Sequence, residues 1–187
     1  MRTFVAIDLD PEIKSGLSDL VRTLKKLAPP AGVGWVKDAG MHLTLKFLGE
    51  IDEPRVVEVA AAVKTAASSV AAFPLKVRGT GFFPSNPRAP RVFWVGTAAD
   101  PVLGELFNRL ESNLERLGFV RETRPFHPHV TLGRVKSASR LSDVIAEIER
   151  NRSTDFGAMT VRTLTLFKSV LTPGGAVYSV LDEGPLS

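Results

Sequence analysis

Three histidines occur in the 187 residues, and two of them open the same tetrapeptide: His42-Leu43-Thr44-Leu45 and His129-Val130-Thr131-Leu132. One copy lies in each half of the chain. An imidazole titrates near neutral pH and can take a proton in one form and give it in the other. Two imidazoles beside two hydroxyls are the equipment of phosphodiester chemistry. One ring removes a proton from the nucleophile, its partner protonates the departing oxygen, and the hydroxyls donate hydrogen bonds to non-bridging oxygens.

The spacing carries a structural meaning. Side chains alternate faces along a strand, so His42 and Thr44 point to one side while Leu43, Leu45 and Phe47 point to the other. The same parity pairs His129 with Thr131 and buries Val130 and Leu132. Each copy therefore anchors itself by an apolar face and offers an imidazole beside a hydroxyl on the opposite one. Lys46 has the parity of His42 and Thr44, which predicts a charge on the reactive face or a simply exposed lysine. His127 also has the parity of His129, but Pro128 between them interrupts regular strand geometry. It is expected at the rim and not as a third catalytic group.

The elements that must hold these motifs follow from periodicity. Strands are predicted over Thr3–Leu9, Val33–Val36, Met41–Leu48, Leu75–Phe83, Val92–Thr97, His129–Val135, Val161–Val170 and Val177–Leu181. Helices are predicted over Glu12–Leu27, Glu53–Ser69, Pro101–Leu117 and Ser139–Arg150. Pro29-Pro30 stops the first helix, Pro54 suits the first turn of the second, and Gly118 ends the third. Ser139 is the expected cap of the fourth. Pro173-Gly174-Gly175 reads as a tight turn joining the last two strands into a hairpin. The order is β-α-β-β-α-β followed by β-α-β-α-β-β, two similar halves with short connections. Antiparallel pairing is favoured, and the class is α+β: two small sheets with helices outside. No G-x-G-x-x-G or G-x-x-x-x-G-K-[ST] pattern follows a strand, which argues against a doubly wound nucleotide fold.

Composition bounds the rest. With 44% apolar and 24% charged residues the chain reads as an ordinary globular protein, not a disordered one. No run of about 18 apolar residues occurs, so a membrane-spanning helix is not expected. Asp8 comes too early for the apolar stretch of a signal peptide, and a cytoplasmic protein is expected. The absence of cysteine removes disulfides, thiolate metal sites and cysteine nucleophiles. A net charge of +4 favours anionic ligands such as phosphates or nucleic acid.

Beyond the two tetrapeptides, a longer pattern runs through the chain. It comprises Arg2-Thr3-Phe4-Val5-Ala6-Ile7-Asp8, Trp35-Val36, Met41 to Glu50, Arg91 to Gly96, Pro125 to Arg134, Leu166-Phe167-Lys168-Ser169 and Gly174 to Tyr178. In this the sequence resembles the two-histidine phosphoesterases, and within them the RNA 2′,3′-cyclic phosphodiesterases, also called 2′-5′ RNA ligases. The resemblance covers essentially the whole chain, with both histidines and both threonines in place. It implies a single domain over residues 1–187, built of two lobes that can interleave in sequence, with the motifs facing one another across a cleft. It implies metal-free and cofactor-free hydrolysis of a terminal 2′,3′-cyclic phosphate to a 2′-phosphate. In some members it also implies reversible, ATP-independent 2′-5′ joining of RNA ends. By resemblance His129 is the proton acceptor that activates water and His42 the proton donor to the leaving 3′ oxygen. Thr44, Thr131 and Arg134 are then expected on the phosphate, Arg134 through charge-assisted hydrogen bonds.

Aromatic side chains could stack on a base. Phe82 and Phe83 are candidates, whereas Trp35 and Trp94 read as core or rim. Other readings keep the same residues: a phosphodiesterase on 2′-5′ oligoadenylates or on ADP-ribose 1″,2″-cyclic phosphate, or a non-catalytic RNA-binding module. A metallohydrolase built on His127 and His129 is disfavoured, because no H-E-x-x-H pattern or nearby carboxylate accompanies them. RNA ends or nucleotides carrying a 2′,3′-cyclic phosphate are the expected partners of a monomer.

Overall fold

A computed structural model describes residues 1–137, 139–173 and 175–187. Among them the chain forms β1 (Arg2–Asp8), α1 (Pro11–Leu27), β2 (Val33–Trp35), β3 (His42–Glu50), α2 (Arg55–Ser68), β4 (Phe73–Phe83), β5 (Val92–Thr97), α3 (Pro101–Glu115), β6 (His129–Val135), α4 (Ser142–Arg150), β7 (Asp155–Val161), β8 (Thr163–Thr172) and β9 (Gly175–Pro185). The α+β class and the antiparallel pairing are as the periodicity predicts.

Local chemistry accounts for most boundaries. Pro11 starts α1 where a missing N–H is harmless, and Ile13, Leu17, Leu20, Val21 and Leu24 bury one stripe of it. Asp100 caps α3 by accepting from the Val102 and Leu103 amides. Gly118, at φ 86°, closes that helix in the left-handed conformation glycine tolerates. Several element ends differ from expectation by two to four residues, with α2 starting at Arg55, β8 at Thr163 and β9 ending at Pro185. The fourth helix begins at Ser142 and not at Ser139, because Arg140 takes φ 58° and breaks helical continuity. An additional strand, β7, forms at the sheet edge; of its residues Met159 and Val161 are buried. Gly174 of the expected turn lies outside the described residues, but β8 and β9 pair from Thr172↔Gly175 to Thr163↔Pro185.

The strand order is β7-β4-β5-β6-β3-β1-β8-β9, with β2 also paired to β6. Both ends of the chain thus build the β3-β1-β8-β9 lobe, while the middle builds the β7-β4-β5-β6 lobe. The two expected sheets are joined into one path where β3 meets β6, at the single pair Leu43↔Val130. Helical residues such as Leu17, Val59, Leu106 and Val144 share one core with Val5, Leu43, Phe93 and Val130 of the strands. The helices accordingly cover one face of the sheet. A separate small cluster of Phe4, Ala6 and Phe167, with Tyr178 against it, lies on the other face.

Candidate active site

The two motifs stand at the centre of that uncovered face. In β3 and β6 the residues Leu43, Leu45, Val130 and Leu132 are buried, while His42, Thr44, His129 and Thr131 are half-buried on the reverse side. Because Leu43 pairs with Val130 in an antiparallel sense, His42 falls across from Thr131 and Thr44 across from His129. A near-twofold axis passes through that pair. The parity expected from sequence is therefore what brings all four side chains together.

Beyond the threonines simple alternation fails, and it fails in the same way twice. In β3 the pairing with β1 runs Ala6↔Thr44 and then Val5↔Lys46, leaving Leu45 unmatched. In β6 the pairing with β5 runs Trp94↔Thr131 and then Phe93↔Gly133, leaving Leu132 unmatched. Each extra residue is a β-bulge, which resets the faces of everything after it. Lys46 and Gly133 turn to the buried side, and Phe47 and Arg134 return to the reactive one. Gly133 is required there, since a Cβ would sit 2.8 Å from the Trp35 ring of β2.

Arg134, five residues from His129 and so on the far face of a regular strand, is delivered to the near face by this bulge. It pairs with Val92, which has the parity of Trp94. Lys46 is corrected by the same device: it does not join the reactive face. Its Nζ lies 2.8 Å from Glu111 Oε1 and donates to the Val120 carbonyl at 2.6 Å. The expectation on Lys46 failed because a bulge is set by the neighbouring strand, not by the strand's own sequence.

His42 packs in an aromatic nest. Its ring stacks on Phe4 at 4.7 Å and on Phe167 at 5.8 Å, and Tyr178 meets it edge-on at 5.1 Å. Burial disfavours the charged ring and lowers its pKa to about 4; the Asp8 carboxylate opposes this and Lys14 reinforces it. His129 lies edge-on to Phe83 at 5.2 Å. Its Nδ1 is 2.7 Å from the His127 carbonyl oxygen, which can only accept, so Nδ1 carries the proton and Nε2 offers a lone pair. Burial also holds the His129 pKa below the usual histidine value; the His127 carbonyl works against this, and Arg134 and His127 add to it.

His127 thus acts through its backbone, at the rim as expected. Trp94, read from sequence as core or rim, lies on the reactive face within 5.0 Å of the Phe83 ring. Its indole needs the bare backbone of Gly81, where a Cβ would come within 2.3 Å. Phe82 faces the core and Phe83 the site. Sequence reasoning missed Phe4, Asp8, Phe167 and Tyr178 around His42, and Phe47, which is 61% exposed beside Phe4. Pairing of β1 with β3 brings Phe4, Ala6 and Asp8 there, a signal that only the register contains. Among the described residues no group of three or more His, Cys, Asp or Glu could hold a metal ion.

Comparison with known proteins agrees with this internal duplication. A family model described as LigT like phosphoesterase matches residues 7–94 and again residues 95–178. An RNA 2′,3′-cyclic phosphodiesterase of Thermotoga maritima is 37% identical over 186 residues, covering 98% of this chain and 94% of that one. One from Archaeoglobus fulgidus is 39% identical over 184 residues, covering 97% and 98%. Among solved structures, a Thermus thermophilus protein superposes with a TM-score of 0.79 at 32% identity, covering 100% of this chain and 98% of its own. Escherichia coli LigT complexed with 3′-AMP superposes with a TM-score of 0.78 at 28% identity, with the same coverage.

Proposed function

The chain belongs to the LigT like phosphoesterases, and on that premise we propose that His42 and His129 are the acid and base of an RNA 2′,3′-cyclic phosphodiesterase. The activity is that of relatives 32–39% identical over nearly the whole chain. The observation that carries the site assignment is the antiparallel Leu43↔Val130 pair, which gathers both histidines and both threonines on one face. His129 Nε2 takes a proton from water as the oxygen attacks phosphorus. The bond from phosphorus to the 3′ oxygen breaks, and His42 delivers a proton to that oxygen. A 2′-phosphate remains, with His129 protonated and His42 neutral, and exchange with solvent restores both. Thr44 and Thr131 donate to the non-bridging oxygens, and Arg134 offers a guanidinium to the same group.

These three residues are tested by steady-state kinetics on a cyclic nucleotide. Thr44→Val and Thr131→Val keep shape and strand propensity while removing a donor, and each should lower kcat, by about 10-fold or more if the donor strengthens in the transition state. Arg134→Ala should chiefly raise KM and weaken binding of the 2′-phosphate product, because a cation facing a dianion acts in the ground state as well. Unchanged kinetics in all three, with normal melting, would move the phosphate elsewhere.

We further read the mechanism as metal-free, so turnover should persist in excess chelator; loss restored by one divalent ion would refute that. Product analysis with 2′,3′-cyclic nucleotides, RNA ending in a cyclic phosphate, 2′-5′ oligoadenylate and ADP-ribose 1″,2″-cyclic phosphate decides among substrates. The same incubation with RNA ends tests for 2′-5′ joining. We take residues 1–187 as one two-lobed domain that works as a cytoplasmic monomer. The described residues include no helix long and apolar enough to cross a membrane, and light scattering tests the monomer.

A further inference from the structure

Two equivalent His-x-Thr units related by a near-twofold axis cannot differ in role unless something unequal flanks them. The register locates the inequality. In β1 and β3 the residue directly opposite His42 is Asp8, whereas in β5 and β6 the residue opposite His129 is Gly96. Asp8 shares the face of Phe4 and Ala6, the same face that packs on His42. Its carboxylate is tethered by Lys14 Nζ at 2.7 Å, from the first turn of α1. His129 has a cation, Arg134, on its own strand, and its Nδ1–H is committed to a carbonyl.

We propose that Asp8 is a positioning residue that makes His42 the proton donor, so that this carboxylate, balanced by Lys14, breaks the symmetry of the site. The assignment rests on the proposed reading of the two histidines and deepens it. A negative charge beside an imidazole stabilises its protonated form, and a carboxylate facing one ring and not the other biases that ring toward holding the proton. The groups facing the His42 ring are Asp8 from β1, Lys14 from α1, Tyr178 from β9 and the uncharged Phe4 and Phe167. Burial works against protonation at both histidines and most strongly at His42, so the productive form is the minor one in the free protein. Its population, and with it kcat/KM, then follows the charge beside His42 directly.

The test compares Asp8→Asn, Lys14→Met and Asp8→Glu. Proton NMR follows the His42 titration, which is assignable because the chain has three histidines, and kcat/KM is measured from pH 4 to 9 on a 2′,3′-cyclic nucleotide. Asp8→Asn should move the His42 midpoint to lower pH and reduce the plateau of kcat/KM by about 3- to 10-fold. Lys14→Met should move both the opposite way, and Asp8→Glu should restore most of the plateau. Opposite signs from two partners of one ion pair are not produced by loss of the pair as a structural tie. A midpoint that stays put, or shifts the same way in both variants, overturns the proposal. So does a shifted midpoint with an unchanged plateau, the signature of His42 acting as base. If the wild-type protein turned over no cyclic phosphate, the functional reading would fail, while the NMR titration would still judge the link between Asp8 and His42.

Discussion

Replacing either histidine by alanine should lower kcat on a 2′,3′-cyclic phosphate by about 10²–10⁴-fold, the usual contribution of a positioned acid or base. The double variant should be little worse than the poorer single, because acid and base act in one transition state and their losses do not add. His42 is held by Phe4, Phe167 and Tyr178, and among the described residues no hydrogen bond ties its ring. His42→Ala therefore leaves a cavity but no stranded charge, and the protein should still fold. His129→Ala frees the His127 carbonyl at a half-buried site that water can reach. Thermal melts accompany the kinetics for that reason. A folded single variant with near-wild-type turnover would show that the two-histidine mechanism is wrong.

The second large effect is on stability and concerns the side of β3 that faces away from the chemistry. Lys46 and Glu111 form an ion pair in which the two side chains are 10% and 1% exposed. Glu111 Oε2 also accepts from the Glu122 amide at 2.7 Å. The pair thus ties β3 to α3 and to the irregular segment that leads into β6. Removing one partner strands a charge in the core, so Lys46→Met or Glu111→Leu should cost about 3–5 kcal/mol. Replacing both, as Lys46→Met with Glu111→Leu, should recover much of that loss, since an apolar pair asks for no counter-charge. Denaturant unfolding of the four proteins measures the cycle. Losses under about 1 kcal/mol, in the range of exposed pairs, would mean that the pair is effectively solvated.

What could be read from the chain depended on the range of the interaction that decides it. His42, Thr44, His129 and Thr131 were legible because period-two alternation is a property of each strand alone. Gly118 was legible for the same reason: its constraint is local. Lys46, Phe47 and the face of Arg134 were not, because the bulges at Leu45 and Leu132 are imposed by how β1 and β5 pair with them. Asp8 gave no sign of its place either, since only the β1–β3 register sets it opposite His42. Strand β7 escaped notice because an edge strand with few buried residues lacks the apolar run by which strands are recognised.

The interleaved strand order also bears on how the molecule is made. Strand β1, synthesised before every other strand of the sheet, is flanked by β3 on one side and by β8 on the other. Residues 163–185 must therefore be synthesised before the lobe that carries His42 can close, whereas β4, β5, β6 and β7 are contiguous enough to pair earlier. Until then the β1–β3 pair presents an open edge, with Phe4 lacking the Phe167 that later packs on it. Contacts between positions so distant in the chain make folding slow relative to a helical protein of this size. In a growing chain the middle lobe is complete first, and the proton donor comes into its aromatic nest only at the last step of assembly.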